Sequence, residues 1–340
     1  MSLFEIDSDI RRARTLGSEF YTDAAYFELS KEKIFARGWQ FLGRADAIRG
    51  LRPTTILPGF LDEPVVLVKT SEWLSCLSNV CTHRGKVLVE EPCEADLIRC
   101  RYHGRRFQLD GRMISMPEFD GVEGFPSDTD NLTKLPLAVR GGFLFASIDP
   151  SETFDNVVNE VAKHLDDVES ASLTLKESRE YEINAHWALY CENYLEGFHI
   201  PYVHHALNAV VDYGTYTTET FRFSSLQTGY DDAGAVAGRY LFIFPNTMFN
   251  SYPWGVSVNV VRPVAPDKTV VEYMTYVSDE TLLDQGAGKD LHGVEMEDEA
   301  VVESVQKGIR SRFYSQGRYS PTREQGTHHF HRLIAEFMNR

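Results

Sequence analysis

The chain has 340 residues, 43% of them hydrophobic and 25% charged, with a formal net charge of −16. That length suits two domains, or one domain inserted into another, and the acidic balance argues against a nucleic-acid partner, for which a basic face is expected. No apolar run reaches the ~18–20 residues of a membrane span. The N-terminal stretch MSLFEIDSDIRRARTL lacks the apolar centre of a secretory signal, so a cytoplasmic location is the default and no membrane role is expected.

In chain order, residues 1–37 read as helical, because DAAYFELSKEKIFARGW places Ala25, Phe27, Leu29, Ile34 and Phe35 on one side. Residues 38–150 change character. Short runs such as PVVLVK, LIRCRYH and GGFLFASI are separated by Gly, Pro and Asp turns, which predicts a small all-β module. Helical periodicity returns over 151–170, followed by an alternating run, TLKESREYEINAHW, and a helix predicted over WALYCENYLEGFH. The stretch 206–236 reads as a partly mobile cover, and aromatic-rich strands span about 219–278. The segment GVEMEDEAVVESVQKGIRSRFY predicts a helix with Ala300, Val301, Val305 and Ile309 along one stripe. The fold class is α+β, with the β module inserted between residues 1–37 and 151–340 of a second domain.

Two motifs carry chemistry. CTHRG at 81–85 and CRYHG at 100–104 each bring one thiol and one imidazole to a short loop. Cys81, His83, Cys100 and His103 form a four-ligand set suited to zinc or to an iron–sulfur centre. Gly85 and Gly104 follow the pairs and free the backbone to wrap a cluster, which favours a Rieske [2Fe–2S] centre, with two cysteines on one iron and two histidines on the other. Cys76, Cys93 and Cys191 stand outside this spacing and read as small hydrophobes.

The second motif is ENYLEGFHIPYVHH, 192–205. Two histidines and a carboxylate on one side of an iron form the facial triad of oxygen-activating non-heme Fe(II) enzymes. His199 and His204 are the candidate pair, with His205 a rival. Glu196 precedes His199 by three positions and is expected on the same helical face, and Pro201 is expected to distort the helix so that His204 swings back. His186 reads as structural. The carboxylate ligand is sought in MEDEAVVESVQ.

The spacing CTHRG…CRYHG, with GWQFLGRADAI before it and GGFLFASIDP after it, resembles the Rieske non-heme iron oxygenases, alpha subunits of the aromatic-ring-hydroxylating dioxygenase superfamily. The stretches ENYLEGFHIPYVH, FPNTMFNSYPWG and the C-terminal SVQKGIRSRFY are most similar to the choline-monooxygenase-like branch. This resemblance implies a helix-grip (START-like) catalytic domain with a curved antiparallel sheet. It implies a mononuclear Fe(2+) held by His199, His204 and Asp298, the acid that best fits the pattern D-x-x-V-V-E, with Glu295, Glu297 and Glu299 as rivals. It gives Glu196 a bridging role between His103 of one subunit and His199 of its neighbour in a homotrimer, and Asn193 a supporting hydrogen bond.

The implied reaction uses O2 and electrons that reach the protein from NAD(P)H through a reductase or ferredoxin. The implied substrate is a small quaternary ammonium or betaine-like compound, hydroxylated or N-demethylated. An aromatic-ring dioxygenase or O-demethylase, and a Rieske electron carrier without oxygenase activity, are the alternatives. One departure stands out: Arg105 replaces the family's usual Trp, and it is expected to alter subunit packing or a donor-docking surface. The aromatic residues Phe221, Phe223, Tyr240, Phe242, Phe244, Phe249, Tyr252 and Trp254 read mostly as core, with a few expected to face the iron.

Overall fold

The computed structural model describes residues 3–169, 172–283 and 285–340. The chain divides into two compact units, Trp39–Pro150, and Met1–Gly38 with Ser151–Arg340.

The smaller unit is built from three antiparallel sheets. In the four-stranded sheet, Gly50–Ile56, Glu63–Lys69, Leu74–Ser78 and Lys134–Leu135 lie side by side in that order. The run VVLV is buried along its whole length, as a continuous β-branched strand in the interior should be. A second sheet joins Ile98–Arg99, Arg106–Phe107 and Met113–Ser115. The core of Val66, Leu77, Ile98 and Phe107 takes in Cys81 and Cys100, so both thiols belong to the packed interior. Arg105 is 2% exposed. It is therefore not itself part of an exposed surface, where its departure from the family's Trp was expected to act.

The larger unit carries a seven-stranded antiparallel sheet. Its order is Thr174–Ile183, Lys268–Val277, Gly255–Ala265, Thr247–Tyr252, Val236–Ile243, Ser224–Tyr230 and Thr217–Thr220. The helix Trp187–Tyr194 contacts both the long helix Leu291–Ile309 and the C-terminal helix Gln325–Asn339. The α+β class holds, with mixed helix and antiparallel sheet.

Several local expectations are corrected. Helix in the N-terminal segment is confined to Ser18–Thr22, Ala24–Ser30 and Lys31–Phe35; the polar residues before it run as coil and turn. Residues 206–236 are not simply a cover, because Thr217–Thr220 and Ser224–Tyr230 are sheet strands. On the long helix the buried residues are Glu295, Val302, Gln306 and Ile309, not the stripe of Ala300, Val301 and Val305. Two polar side chains occupy that face because each has a partner. Gln306 Oε1 accepts from the His186 backbone N–H at 2.8 Å, and Glu295 accepts from two tyrosines.

Candidate metal centres and cavity

The two Cys–His loops of the smaller unit share one backbone pattern. The Gly85 N–H donates to Cys81 O at 3.0 Å and the Gly104 N–H to Cys100 O at 3.0 Å. The Cys81 N–H donates to Lys86 O and the Cys100 N–H to Arg105 O, both at 2.8 Å. Each turn closes only because its glycine adopts a left-handed conformation, φ 71° at Gly85 and 80° at Gly104, where a Cβ would be strained. The His83 and His103 rings meet edge to face with centroids 4.9 Å apart.

Burial raises the Cys81 thiol above its ordinary value, and its contact with Cys100 adds to that. Burial, then the neighbouring His103 and Arg105, lower His83. The Nδ1 of His103 is buried without a hydrogen-bond partner. Two packed thiols beside an imidazole nitrogen that nothing else satisfies fit a mixed Cys/His iron–sulfur site.

Asp130 fastens the two loops together. Its backbone carbonyl accepts from Thr82 Oγ1 at 2.7 Å in the first loop, and its carboxylate accepts from Arg105 at 2.5 Å in the second. The Arg105 guanidinium also lies over the rings of Phe107 and Phe125, so it takes up the volume and the stacking that an aromatic side chain would supply.

In the larger unit the helix begins at Trp187, with His186 as its N-cap, and ends at Tyr194. It stops before Glu196, so Glu196 and His199 do not meet as helical neighbours. They meet in a turn that Glu196 itself caps, with Oε2 accepting from the backbone N–H groups of Phe198 and His199. Pro201 lies in the first turn of the short helix Ile200–Val203, a position where its missing N–H costs nothing. His204 follows immediately and is buried, whereas the rival His205 is exposed.

Three side chains converge here. His199 Nε2 lies 3.1 Å from His204 Nε2, His204 Nε2 lies 3.0 Å from Asp298 Oδ1, and His199 Nε2 lies 3.6 Å from Asp298 Oδ1. Among the described residues this is the group of three or more His, Cys, Asp or Glu side chains placed to hold a metal ion. The outer nitrogens are occupied: His199 Nδ1 by Glu196 Oε1 at 2.7 Å and His204 Nδ1 by Glu297 Oε2 at 2.7 Å. A carboxylate on Nδ1 fixes the proton there and leaves the Nε2 lone pairs aimed at one another and at a carboxylate oxygen. That donor set fits a hard-to-borderline divalent cation such as Fe(2+). Burial alone would lower His204, but Asp298 and Glu297 outweigh it and its pKa lies above the ordinary value.

The sequence missed part of this arrangement. Glu297 holds His204 and is not placed to ligate, and Glu295 and Glu299 fall outside the metal-ready group.

The three side chains open into a cavity walled by Tyr190, Tyr194, Tyr216, Tyr240, Tyr252 and Tyr273, with Asn193, Asn250 and Asn259. Of the aromatic residues singled out in the sequence, Tyr240 and Tyr252 reach it. Phe223, Phe242, Phe244, Phe249 and Trp254 are buried core. Tyr190, Asn193 and Tyr194 share a face of one helix, a spacing visible in the sequence. Tyr240 pairs with Asn250 across the sheet and Asn259 with Tyr273, which only the strand register reveals.

Behind the wall, Glu295 Oε2 accepts from Tyr190 at 2.6 Å and from the Tyr273 hydroxyl. Its Oε1 is buried without a partner. Burial pushes Glu295 up to about 8 despite those two hydrogen bonds.

Comparison with known proteins agrees with this geometry. Residues 38–126 match the Rieske [2Fe-2S] domain, and residues 212–340 match the ring hydroxylating alpha subunit, catalytic domain. The chain is 31% identical to the chloroplastic choline monooxygenase of Arabidopsis thaliana, over 97% of this chain and 84% of that one. It is 30% identical to the carnitine monooxygenase oxygenase subunit of Escherichia coli K12, over 96% of this chain and 94% of the relative. It superposes with a TM-score of 0.79 on a quaternary ammonium Rieske monooxygenase crystallised with L-carnitine, at 28% identity over 98% of this chain and 97% of the other.

The chain belongs to the Rieske non-heme iron oxygenases. It is an O2-dependent oxidoreductase whose cofactors are a [2Fe–2S] cluster and a mononuclear iron, with electrons supplied through a reductase as is typical of the family. The reading as an electron carrier without oxygenase activity is thereby set aside. Among the described residues no helix is long and apolar enough to cross a membrane.

Proposed function

We propose that the chain is the oxygenase component of a monooxygenase acting on a small quaternary ammonium compound. His199, His204 and Asp298 hold the mononuclear iron, and Cys81, His83, Cys100 and His103 hold the cluster. The observation that carries this reading is the convergence of two imidazole Nε2 atoms and one carboxylate oxygen at a cavity walled by six tyrosines. When bound, the iron supplies O2 activation, with electrons drawn from the cluster.

The remaining work falls to the protein's own side chains. Glu196 and Glu297 keep the protons of His199 and His204 on Nδ1. The tyrosine rings offer electron-rich faces to an ammonium group, and their bulk limits the water that can reach it. Tyr194 is held by Asn250 at 2.9 Å and Tyr216 by Gln227 at 3.3 Å, so these rings are fixed before substrate arrives.

Glu196 is also the bridge toward a neighbouring subunit's cluster in a homotrimer, with His103 and His199 as its partners. A reductase or ferredoxin drawing on NAD(P)H serves the protein in the cytoplasm. The test is O2 uptake with a reductase present. Turnover with choline, carnitine or a betaine and none with aryl acids supports the reading, and the reverse overturns it.

A further inference from the structure

The helix Trp187–Tyr194 ends just before the turn that carries Glu196 and His199, and a helix end leaves backbone carbonyls without intrahelical partners. Here side chains from distant segments take them up. Gln227 Nε2 donates to the Tyr194 carbonyl at 2.7 Å, and Thr327 Oγ1 donates to the Glu192 carbonyl at 3.4 Å. Gly326, in the first turn of the C-terminal helix, passes so near Leu195 that a Cβ on it would lie 2.2 Å from the Leu195 carbonyl oxygen. Gly197 is confined in the same way, since a Cβ there would meet the Tyr216 ring at 2.7 Å. Tyr194, Leu195 and Gly197 are each held from outside, and Glu196 lies among them.

The hold at Gln227 has a second end. Its Oε1 accepts from the Tyr216 hydroxyl at 3.3 Å, and Tyr216 lines the cavity. Gln227 is 1% exposed. One buried amide thus joins a ring of the cavity wall to the end of the helix, donating and accepting at once, which neither a carboxylate nor a thioether can do. Gly229, two positions along the same strand and so on the same face, backs the opposite edge of the Tyr216 ring. The ring is seated between two glycines and has little room to retreat.

We propose that Gln227 is a positioning residue for the iron-binding turn. It keeps the Glu196 backbone in place, and the Glu196 carboxylate, bonded to His199 Nδ1 at 2.7 Å, passes that placement to the ligand. Through Tyr216 the same amide ties the turn to the cavity wall. This rests on the oxygenase reading above and deepens it.

The test uses the purified holoenzyme, with cluster and mononuclear iron counted first. Nitric oxide serves as the probe of the mononuclear iron, read by electron paramagnetic resonance, and Fe(2+) affinity is measured by chelator competition. Gln227→Met should keep the cluster spectrum, weaken Fe(2+) binding roughly tenfold and alter the nitric oxide signal. Tyr216→Phe should act in the same direction with a smaller effect, and the double variant should be no weaker than Gln227→Met alone. Gln306→Met is the control: Gln306 Oε1 holds the His186 N–H at the other end of the same helix, at 2.8 Å. It should lower the melting temperature while leaving Fe(2+) affinity and the signal unchanged.

An unchanged signal and affinity in Gln227→Met, or an equal change in Gln306→Met, overturns the positioning role. Fully additive effects of Tyr216→Phe and Gln227→Met overturn the tie to the cavity wall. Should Gln227→Met fail to fold, Gly197→Ala drives the same turn against the Tyr216 ring, and an unchanged signal there overturns the proposal. A wild type without a nitric oxide signal overturns the oxygenase reading and this inference with it, whereas a normal wild type with an unaffected variant overturns this inference alone.

Discussion

In the smaller unit the four candidate ligands come from two loops that repeat the same backbone bonds. In the larger unit the three candidate ligands come from a turn and a helix, with His204 and Asp298 separated by 94 positions. The loops depend on glycine conformation and main-chain hydrogen bonds, and His103 Nδ1 is left without a partner. The second site depends on side chains, with both Nδ1 atoms already held by carboxylates. The difference teaches that a site built from backbone can be read from a short motif, whereas one built from carboxylates must wait for the fold to bring them together.

The comparison breaks most sharply at Asp298. Asp298→Ala should remove mononuclear iron and abolish turnover while leaving the visible absorption of the cluster intact; iron analysis and a spectrum check this. Retention of both iron and turnover would mean that another acid serves.

Next comes the carboxylate shell. Glu196→Ala should keep the cluster and lower turnover by about 10–100-fold, the usual loss when the outer partner of a metal-binding imidazole is removed. Glu297 is about half exposed, so Glu297→Gln should cost less, about tenfold. Steady-state rates with iron counts separate the two.

Arg105 tests the backbone-built site. It is almost fully buried while Asp130 keeps 20% of its side-chain surface. Arg105→Met should therefore destabilise the smaller unit by roughly 2 kcal/mol, below the 3–5 kcal/mol of a fully buried pair broken on one side. Thermal unfolding followed by cluster absorbance reads this.

The last effect shows only in acid, as a pH dependence of stability. Burial lowers His186 to about 3, against about 6.5 in an unfolded chain. Between those values the unfolded state binds more protons. This contribution to stability is whole above pH 6.5 and declines as pH falls toward 3. Melting temperatures of the wild type and His186→Asn should converge as pH drops through that window.

How much was legible follows from locality. The Cys–His loops were readable because each ligand pair and its glycine lie within five residues. The pair His199 and His204 was readable for the same reason, but its mechanism was not: the helix ends at Tyr194, and a carboxylate-capped turn takes its place. Glu297 looked like a rival ligand because a helix places it beside Asp298 in sequence without saying which way it points. The tyrosine wall was largely hidden, since Tyr240, Asn250, Asn259 and Tyr273 become neighbours only through the register of four strands. The burial of Arg105 was not legible, because a charged side chain is usually exposed and its partners, Asp130 and the rings of Phe107 and Phe125, come together only in the fold.

The clasp at Asp130 has a consequence for which residues keep the smaller unit's loops in register. Thr82 and Arg105 both bond to one residue, so loops whose cysteines lie nineteen positions apart are tied by side chains that are not among the four candidate ligands. The task of joining the loops is thereby separated from the task of ligation, and a change at Thr82 or Asp130 loosens the frame without deleting a ligand.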